Sequence, residues 1–452
     1  MILSSAFRGK RYAVLGLARS GMAAAQTLIR SGAQVTAWDR EETPRAALAG
    51  QAEIADPAVI DLAGFDGVVV SPGVPLNSHP VAANACAAGV PVIGDIELFA
   101  QARADLPPHR VAGITGTNGK STTTALLHHI LQSACVPSMM GGNIGLPVLA
   151  QEPLPAGGVY VLELSSYQID LTHSLDCDVA GLLNVTPDHL DRYDGFSAYA
   201  ASKGRLFAMQ GRGHFAAFGC ADEATSAIRE VEAARRLADD MAVCLNPSAY
   251  APLQPDWMSL QGPHNLQNAA MAVALAQALG VSEDQWRGAL RSFRGLAHRM
   301  ERLCMANGVL FINDSKATNP ASTAPALAAF PPAPVPRIHW ILGGLPKGDD
   351  LGECAAHLGN VAAAYTIGEA GPRFAELLEQ VVPVQRCEML VEAVNRAIAA
   401  ARPGEVVLFS PACASFDQFR DYEARGDCFR KLVSALVGAN CASDAEQGRS
   451  VA

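Results

Sequence analysis

The sequence lacks several things, and each absence excludes something. It has no excess of positive charge: 34 Lys and Arg stand against 44 Asp and Glu in 452 residues, a formal net charge of −10. Duplex nucleic acid and anionic membranes are bound through basic faces, so neither is expected as the main partner. No apolar run reaches the ~18 residues of a membrane span. The opening MILSSAFRGKRY lacks the apolar core of a signal peptide, so a cytosolic protein is expected. None of the eleven cysteines pairs at C-x-x-C spacing, which argues against a zinc ribbon. Their scatter as singles, at Cys86, Cys135, Cys177, Cys220, Cys244, Cys304, Cys354, Cys387, Cys413, Cys428 and Cys441, predicts buried free thiols rather than disulfides.

What is present is ample material for several cores: half the residues are hydrophobic and 17% are charged. The length predicts two to four domains. Three blocks alternate strand and helix patterns, as parallel sheets covered on both faces do. The first has apolar runs at Tyr12–Leu17 and Gln34–Trp38, a helical stretch Ser20–Arg30, and strands in FDGVVVSPGVP and GVPVIGDIELF. The polar, proline-bearing QARADLPPHR reads as a linker. The second block opens at Val111, with strands in GVYVLELSS and VAGLLNVTPDH, helices Phe196–Met209 and Asn265–Leu279, and a proline-rich stretch, VCLNPSAYAPLQPDW, read as an exposed loop. The third begins near Arg299, with strands in VLFIND, RIHWILGG, AAAYTIG and EVVLFSP and helices Pro372–Gln380 and Leu390–Ala401. The tail after Val437 is small and polar, and disorder is expected over about 438–452.

Ligands of open α/β sheets bind beyond the carboxyl ends of strands. Asp39, Ser71, Lys120, Glu163, Asp188, His189, Asp314, Lys316, Lys347 and Ser410 all occupy such ends. The segment VAGITGTNGKSTTTALL runs strand, small-residue loop, Gly-Lys-Ser, helix. It departs from G-x-x-x-x-G-K-[ST] because Ile114 stands where the first glycine belongs. Gly116, Thr117, Asn118 and Gly119 would still let a polyphosphate approach the helix N-terminus, with Lys120 on the outer phosphates and the Ser121 hydroxyl on Mg²⁺. Glu163, ending a buried strand, is placed either as a Mg²⁺ ligand or water-orienting acid, or as a carboxylate paired with a nearby base. His189 is read as a ligand or a hydrogen-bonded surface histidine. Lys203 reads as an ordinary exposed helical lysine. In the first block GLARSG, followed by Asp39, resembles a dinucleotide fingerprint, but Ala18 fills the middle glycine position. Some nucleotide diphosphate near Ser20, with Ser71–Gly73 facing it, and a purely structural domain both remain open.

Six stretches taken together resemble the Mur ligases of bacterial cell-wall precursor synthesis. GITGTNGKST, LELSSYQ, NVTPDHLDRY and GPHNLQNAAMAVALA are similar to that family's ATPase core, and FINDSKATNPAST and LFSPACASFDQFRDYEARGDCF to its carboxy-terminal domain. The resemblance covers nearly the whole chain, in matching order. It implies an α/β protein of three domains: a Rossmann-like UDP-substrate-binding domain over 1–101, a central P-loop ATPase-like mononucleotide-binding domain over 102–298, and a Rossmann-like amino-acid-binding domain over 299–452. It implies ATP at Gly116–Thr122 with Lys120 and Ser121, at Asn268 and Arg299, and with Asp314 near the ribose. It implies two Mg²⁺ ions held by Ser121, Glu163, His189 and Lys203, the lysine as a carbamate. The catalytic set so implied is Lys120, Glu163, His189 and Lys203. The UDP-sugar is implied at Arg19, Ser20, Gly21, Asp39, Ser71, Pro72, Gly73, Asn143 and His189, and the amino acid at Lys316, Thr318, Lys347, Ser415, Phe416 and Tyr422. Phe416 and Tyr422 stand where Leu and Phe are expected, and Ser121 where threonine is common.

DSKATN and SPACASFDQF look most like the branch that adds D-glutamate to UDP-N-acetylmuramoyl-L-alanine. The implied reaction charges the substrate carboxylate with the γ-phosphoryl of ATP and then transfers the acyl group to the amine. No nucleic-acid partner and a monomer are expected. The rival expectations are a ligase for L-glutamate or another amino acid, a folyl-polyglutamate-type ligase, a nucleotide-binding switch or kinase, and an NAD-dependent oxidoreductase.

Overall fold

The computed structural model describes residues 1–188, 192–238, 241–257, 259–348 and 350–438. His189 and residues 439–452, for which sequence expectations were stated, lie outside the described residues. The described residues form three sheets. The first takes β1 (Arg11–Leu15), β2 (Gln34–Trp38), β3 (Glu53–Ile54), β4 (Gly67–Val70) and β5 (Val92–Ile93) in the order β3-β2-β1-β4-β5, all parallel. The second takes β6 (His109–Thr115), β7 (Ser138–Gly142), β8 (Gly158–Glu163), β9 (Val179–Leu182), β10 (Phe215–Phe218) and β11 (Ala242–Cys244) in the order β11-β10-β9-β6-β8-β7, again parallel. The third takes β12 (Glu301–Ala306), β13 (Val309–Asn313), β14 (Ile338–Gly343), β15 (Val361–Ile367), β16 (Val384–Glu388) and β17 (Val406–Phe409) in the order β12-β13-β17-β14-β15-β16. Only β12 pairs antiparallel, with β13.

Central strands such as β4, β8 and β14 are buried at every position, as sheets covered on both faces require. Contacts divide the chain into two units: 1–257 with 263–292, and 258–262 with 293–452. The first unit holds two sheets on one continuous core, in which Leu28, Phe99, Tyr160 and Phe207 are fully buried. The helix Asp95–Ala102 enters that core through Ile96, Leu98, Phe99 and Ala102. The linker reading of 101–110 is therefore corrected: that helix, a 3-10 turn at Arg103–Asp105 and β6 take up all of it but Leu106, Pro107 and Pro108. The proline-rich stretch is likewise a 3-10 helix, Pro247–Asp256, followed by the buried Trp257. The free-thiol expectation fails for Cys220 and Cys244, which are joined as a disulfide with Cα atoms 5.9 Å apart. Parallel pairing sets Phe218 opposite Cys244 and so brings the two thiols, 24 residues apart in sequence, to one strand end. Cys177, Cys354, Cys387 and Cys413 are buried free thiols as expected.

The first and second sheets each have a point where connections leave in opposite directions, between β1 and β4 and between β6 and β9. Such points open a crevice at the strand carboxyl ends.

Candidate active site

The crevice between β6 and β9 is filled by the phosphate loop. The helix Lys120–Ser133 starts from Gly119, whose φ of 86° is left-handed. A Cβ at Gly119 would overlap Asn268 Oδ1, and one at Gly116 would press to 3.0 Å on Leu183. Glycine is thus needed at both positions for close packing. Asn184, just past β9, holds the loop like an added strand. Its Oδ1 accepts from Asn118 N–H (2.9 Å), its Nδ2 donates to Asn118 O (3.2 Å), and its own carbonyl accepts from Thr117 N–H (2.8 Å). The Thr117 hydroxyl meets Thr186 O and the Tyr199 hydroxyl, both at 3.2 Å. Lys120 Nζ lies over the loop, donating to Gly116 O (2.9 Å) and Thr117 O (2.7 Å). Ser121 and Thr122 are half-buried in the first helical turn. Asn268 donates to Asn265 Oδ1 (3.1 Å) and accepts from the Thr123 hydroxyl (3.4 Å), which ties the helix Pro263–Ala278 to the loop helix.

Lys203 corrects the surface reading: it is 1% exposed. The helix Phe196–Ala208 buries Tyr199, Ser202, Lys203, Leu206 and Phe207 on one face, so the lysine sits at an inward position. That spacing was the available signal, overridden by the usual preference of lysine for water. Its ammonium donates to Gly116 O (3.0 Å) and lies 4.5 Å from the centre of the Tyr199 ring. Burial first, and then the Lys120 charge, lower its pKa to about 7, with Asp188 and Asp170 pulling the other way. Glu163 ends β8 at 2% exposure. Its Oε1 accepts from Asn143 Nδ2 (3.1 Å), and its Oε2 is buried with no hydrogen-bond partner among the described residues. No base is paired with Glu163 among the described residues.

At the crevice of the first sheet, the Ser71 hydroxyl donates to Gly16 O (2.8 Å), joining the turns after β4 and β1. Asp39 Oδ2 accepts from Leu17 N–H (2.5 Å) and Oδ1 from Glu41 N–H (3.0 Å). The helix Arg19–Arg30 follows Ala18, which caps nothing with its side chain, and a Cβ at Gly21 would overlap Gly16 O. Pro72 and Gly73 continue the Ser71 turn. Arg19 Nη2 reaches Gly145 O (2.8 Å) in the loop that also carries Asn143. Arg192 stacks on Tyr167 at 4.5 Å and donates to Val74 O (2.9 Å). The first-sheet turns are thus continuous, through Arg19 and the Gly142–Gly145 loop, with Glu163.

In the second unit, Asp314 follows β13, is 4% exposed, and accepts from Met300 N–H (3.0 Å) and the Ser410 hydroxyl (2.7 Å). Burial raises its pKa to about 6. Lys316 Nζ lies 3.9 Å over the Tyr422 ring, and Lys347 Nζ approaches the Thr318 hydroxyl at 3.5 Å. Ser415 is buried, Phe416 is 70% exposed, and Arg299 is half-buried with its N–H on Leu296 O. Sequence reasoning missed Arg425, 1% exposed, whose guanidinium donates to Ser315 O (2.8 Å), Ala414 O (3.0 Å) and Cys413 O (3.1 Å). Its burial lowers its pKa to about 10. It braces the segment carrying Lys316 against the segment carrying Ser415. Asn184 and Tyr199 were missed as well, because their roles come from partners distant in sequence.

Three family models match the chain in order: "Mur ligase MurD-like, N-terminal domain" over residues 10–94, "Mur ligase middle domain" over 114–238, and "Mur ligase, glutamate ligase domain" over 298–413. A UDP-N-acetylmuramoylalanine–D-glutamate ligase of Novosphingobium aromaticivorans is 68% identical over 437 residues, covering 97% of each chain. The chain belongs to the Mur ligase family. A ligase of the same name from Sphingopyxis alaskensis is 58% identical, covering 96% of this chain and all of the relative. Among solved structures, the UDP-N-acetylmuramate–alanine ligase of Thermotoga maritima is similar with a TM-score of 0.57 at 18% identity, covering 94% of this chain and 99% of that one. The MurF ligase of Thermotoga maritima, solved in complex with ADP, is similar with a TM-score of 0.56 at 15% identity, covering 95% and 96%. These two likenesses speak to the fold: the three sheets are those of the Mur ligase architecture. No helix among the described residues is long and apolar enough to cross a membrane.

Proposed function

We propose that this Mur ligase joins D-glutamate to UDP-N-acetylmuramoyl-L-alanine at the expense of ATP, in peptidoglycan precursor synthesis. The domain assignment follows the sequence expectation: 1–101 for the UDP substrate, 102–298 for ATP, and 299–452 for the amino acid. The observation that carries the chemistry is the meeting of Lys120 and Lys203 on one carbonyl, Gly116 O, at the N-terminus of the loop helix. Two ammonium groups so close raise the positive potential where a triphosphate would lie, and they disfavour the proton on the more buried one.

A carboxylate resists attack by an amine because oxide is a very poor leaving group. Transfer of the γ-phosphoryl from ATP to the alanine carboxylate gives an acyl phosphate and ADP. The amine of D-glutamate then forms the C–N bond, loses a proton, and phosphate departs. Phosphoryl transfer is mostly positioning and charge neutralisation. Lys120, with the N–H groups of the Gly116–Gly119 loop, binds the phosphates; Asn268, Arg299 and Asp314 are assigned to the nucleotide. The neutral Lys203 amine is the form that attacks CO₂; the N–C bond forms and one N–H proton is released, giving an anionic carbamate in place of a cation. The orphaned Glu163 Oε2 is a hard oxygen donor of the kind magnesium takes. Glu163, Ser121, His189 and the Lys203 carbamate would hold two ions, which when bound neutralise the transferring phosphoryl oxygens. Arg19, Ser20, Gly21, Asp39, the Ser71–Gly73 turn and Asn143 are assigned to the UDP-sugar, and Lys316, Thr318, Lys347, Ser415, Phe416 and Tyr422 to the amino acid.

The test is ADP release with UDP-N-acetylmuramoyl-L-alanine and, separately, D-Glu, L-Glu, D-Asp and L-Lys. D-Glu alone should support fast turnover. ADP formation indifferent to the amino acid would reject a ligase in favour of a kinase or switch, and a preference for another amino acid would reject the D-glutamate assignment. Lys120→Ala should lower turnover by about a hundredfold or more while keeping the fold; near-normal ligation by that variant would reject the phosphate-loop assignment.

A further inference from the structure

A phosphoryl group passes only between substrates that are aligned, and a misplacement of about 1 Å can cost about a hundredfold in rate. The side chains assigned to the sugar nucleotide and the phosphate loop belong to different sheets of one unit. The two sets must therefore be held in register. The turn after β4 is closed by Val74 N–H on Ser71 O (3.0 Å), and the Ser71 hydroxyl joins it to the turn after β1. The carbonyl of Val74 accepts from Arg192 Nη2 at 2.9 Å.

Arg192 comes from the second sheet, between β9 and the helix Phe196–Ala208. It is half-buried, and its guanidinium lies 4.5 Å from the centre of the Tyr167 ring. Tyr167 stands in the helix Ser166–Asp170, four residues past Glu163. Its ring stacks on Tyr193, with centroids 6.1 Å apart and planes 9° from parallel. The Tyr193 hydroxyl donates to Asp170 Oδ2 (2.7 Å), which fastens that ring to the same short helix. Tyr193 in turn meets the Tyr199 ring edge-on at 5.4 Å. Tyr199 is 1% exposed; its face lies 4.5 Å from Lys203 Nζ, and its hydroxyl meets the Thr117 hydroxyl of the phosphate loop at 3.2 Å. One guanidinium and three rings thus form a continuous series of contacts from Val74 to Thr117. Arginine suits the first place in it, because a planar guanidinium stacks on a ring and donates in its own plane at once.

We infer that Arg192 is a positioning residue for the phosphoryl-transfer step: holding the Val74 carbonyl while stacked on Tyr167, it keeps the sugar-nucleotide turn aligned with the phosphate loop. The inference rests on the assignment of the sugar nucleotide to the Ser71–Gly73 turn and of ATP to the loop. Such a clamp sets the placement of one site relative to the other and leaves each site's own groups as they are. Its loss is therefore felt in the joint reaction, and little in the binding of either ligand alone.

The experiment compares the wild type with Arg192→Met, Arg192→Lys, Tyr167→Leu, Tyr167→Phe and the double variant Arg192→Met with Tyr167→Leu. It measures kcat by ADP release with UDP-N-acetylmuramoyl-L-alanine and D-Glu, the dissociation constants of the sugar nucleotide and of ADP by calorimetry, and thermal midpoints. Arg192→Met is expected to lower kcat by about tenfold to a hundredfold, with both dissociation constants within about threefold of the wild type. Arg192→Lys should recover part of the loss, since it keeps the charge and a donor but not the stacking plane. Tyr167→Phe, which keeps the ring, should turn over faster than Tyr167→Leu, and the double variant should be no slower than Arg192→Met alone. A loss confined to sugar-nucleotide affinity, with kcat kept, would make Arg192 a ligand contact and overturn the inference. A lowered midpoint with unchanged kcat would make it merely structural and overturn it too, as would additive losses in the double variant. Failure of the wild type itself to bind the sugar nucleotide or ADP would sink the site assignment instead, so the two failures are distinguishable.

Discussion

At the residue scale, the decisive group is a lysine ammonium enclosed by protein. Lys203 touches Gly116 O and the Tyr199 ring, and burial together with Lys120 makes it release its proton near neutrality. Substitution Lys203→Ala should cut ligation by about a hundredfold, the scale of losing one preorganised charged contact. Added formate or acetate should restore part of it, measured as ADP release, by returning a carboxylate to the position of the carbamate. Full activity without any additive would remove the carbamate from the scheme. Asn184 works at the same scale by hydrogen bonds alone. Replacing it with Ala removes two bonds to the Asn118 peptide. At roughly 1 kcal/mol each, the KM for ATP should rise about tenfold or more, with the KM values of the other substrates unchanged.

At the element scale, short glycine turns let strand ends meet helix starts. Gly119 combines a left-handed φ with a Cα that faces Asn268. Gly119→Ala therefore incurs both a backbone and a packing penalty, of order 1–3 kcal/mol for the backbone alone. The variant should stay folded, held by the parallel pairing of β6 with β8 and β9, while ATP turnover falls about a hundredfold. Circular dichroism beside an ADP-release assay separates the two outcomes. The helices that the sequence did mark were read to within a few residues, Arg19–Arg30 as Ser20–Arg30 and Leu390–Ala400 as Leu390–Ala401, but others, such as Pro80–Ala88, Glu223–Arg235 and Tyr422–Val437, were not marked. Long buried runs and amphipathic stretches carry that signal locally. The short edge strands β3, β11 and β12 gave no such signal, because two to six partly exposed residues resemble a loop until a neighbouring strand pairs with them.

At the scale of the whole molecule, buried ionisable groups couple stability to pH. Between its folded pKa of about 7 and its ordinary value of 10.5, the unfolded chain binds a proton at Lys203 that the folded chain does not. Stability from this group must therefore rise with pH through that window. In CO₂-free buffer the thermal midpoint should climb from pH 7 to pH 9 more steeply in the wild type than in Lys203→Met, each kcal/mol corresponding to about 2–4 °C. Identical slopes would mean that the amine keeps its proton in the fold. Asp314 has the opposite sign: its contribution is present below 3.8 and is lost as pH rises through about 6.

The sequence by itself determined the alternating strands and helices, the phosphate loop, and the strand-end position of Asp39, Ser71, Glu163, Asp314 and Ser410. Each of these depends on local periodicity, on turn chemistry, or on the order of short motifs. Tertiary structure alone decided that Lys203 is buried, that Asn184 clasps the loop, that Arg425 braces two segments, and that Glu97 is saturated by donors from His173, Ser174 and Gln101. Those properties belong to the space between elements far apart in the chain, and burial, dielectric and hydrogen-bond partners exist only once that space has been closed.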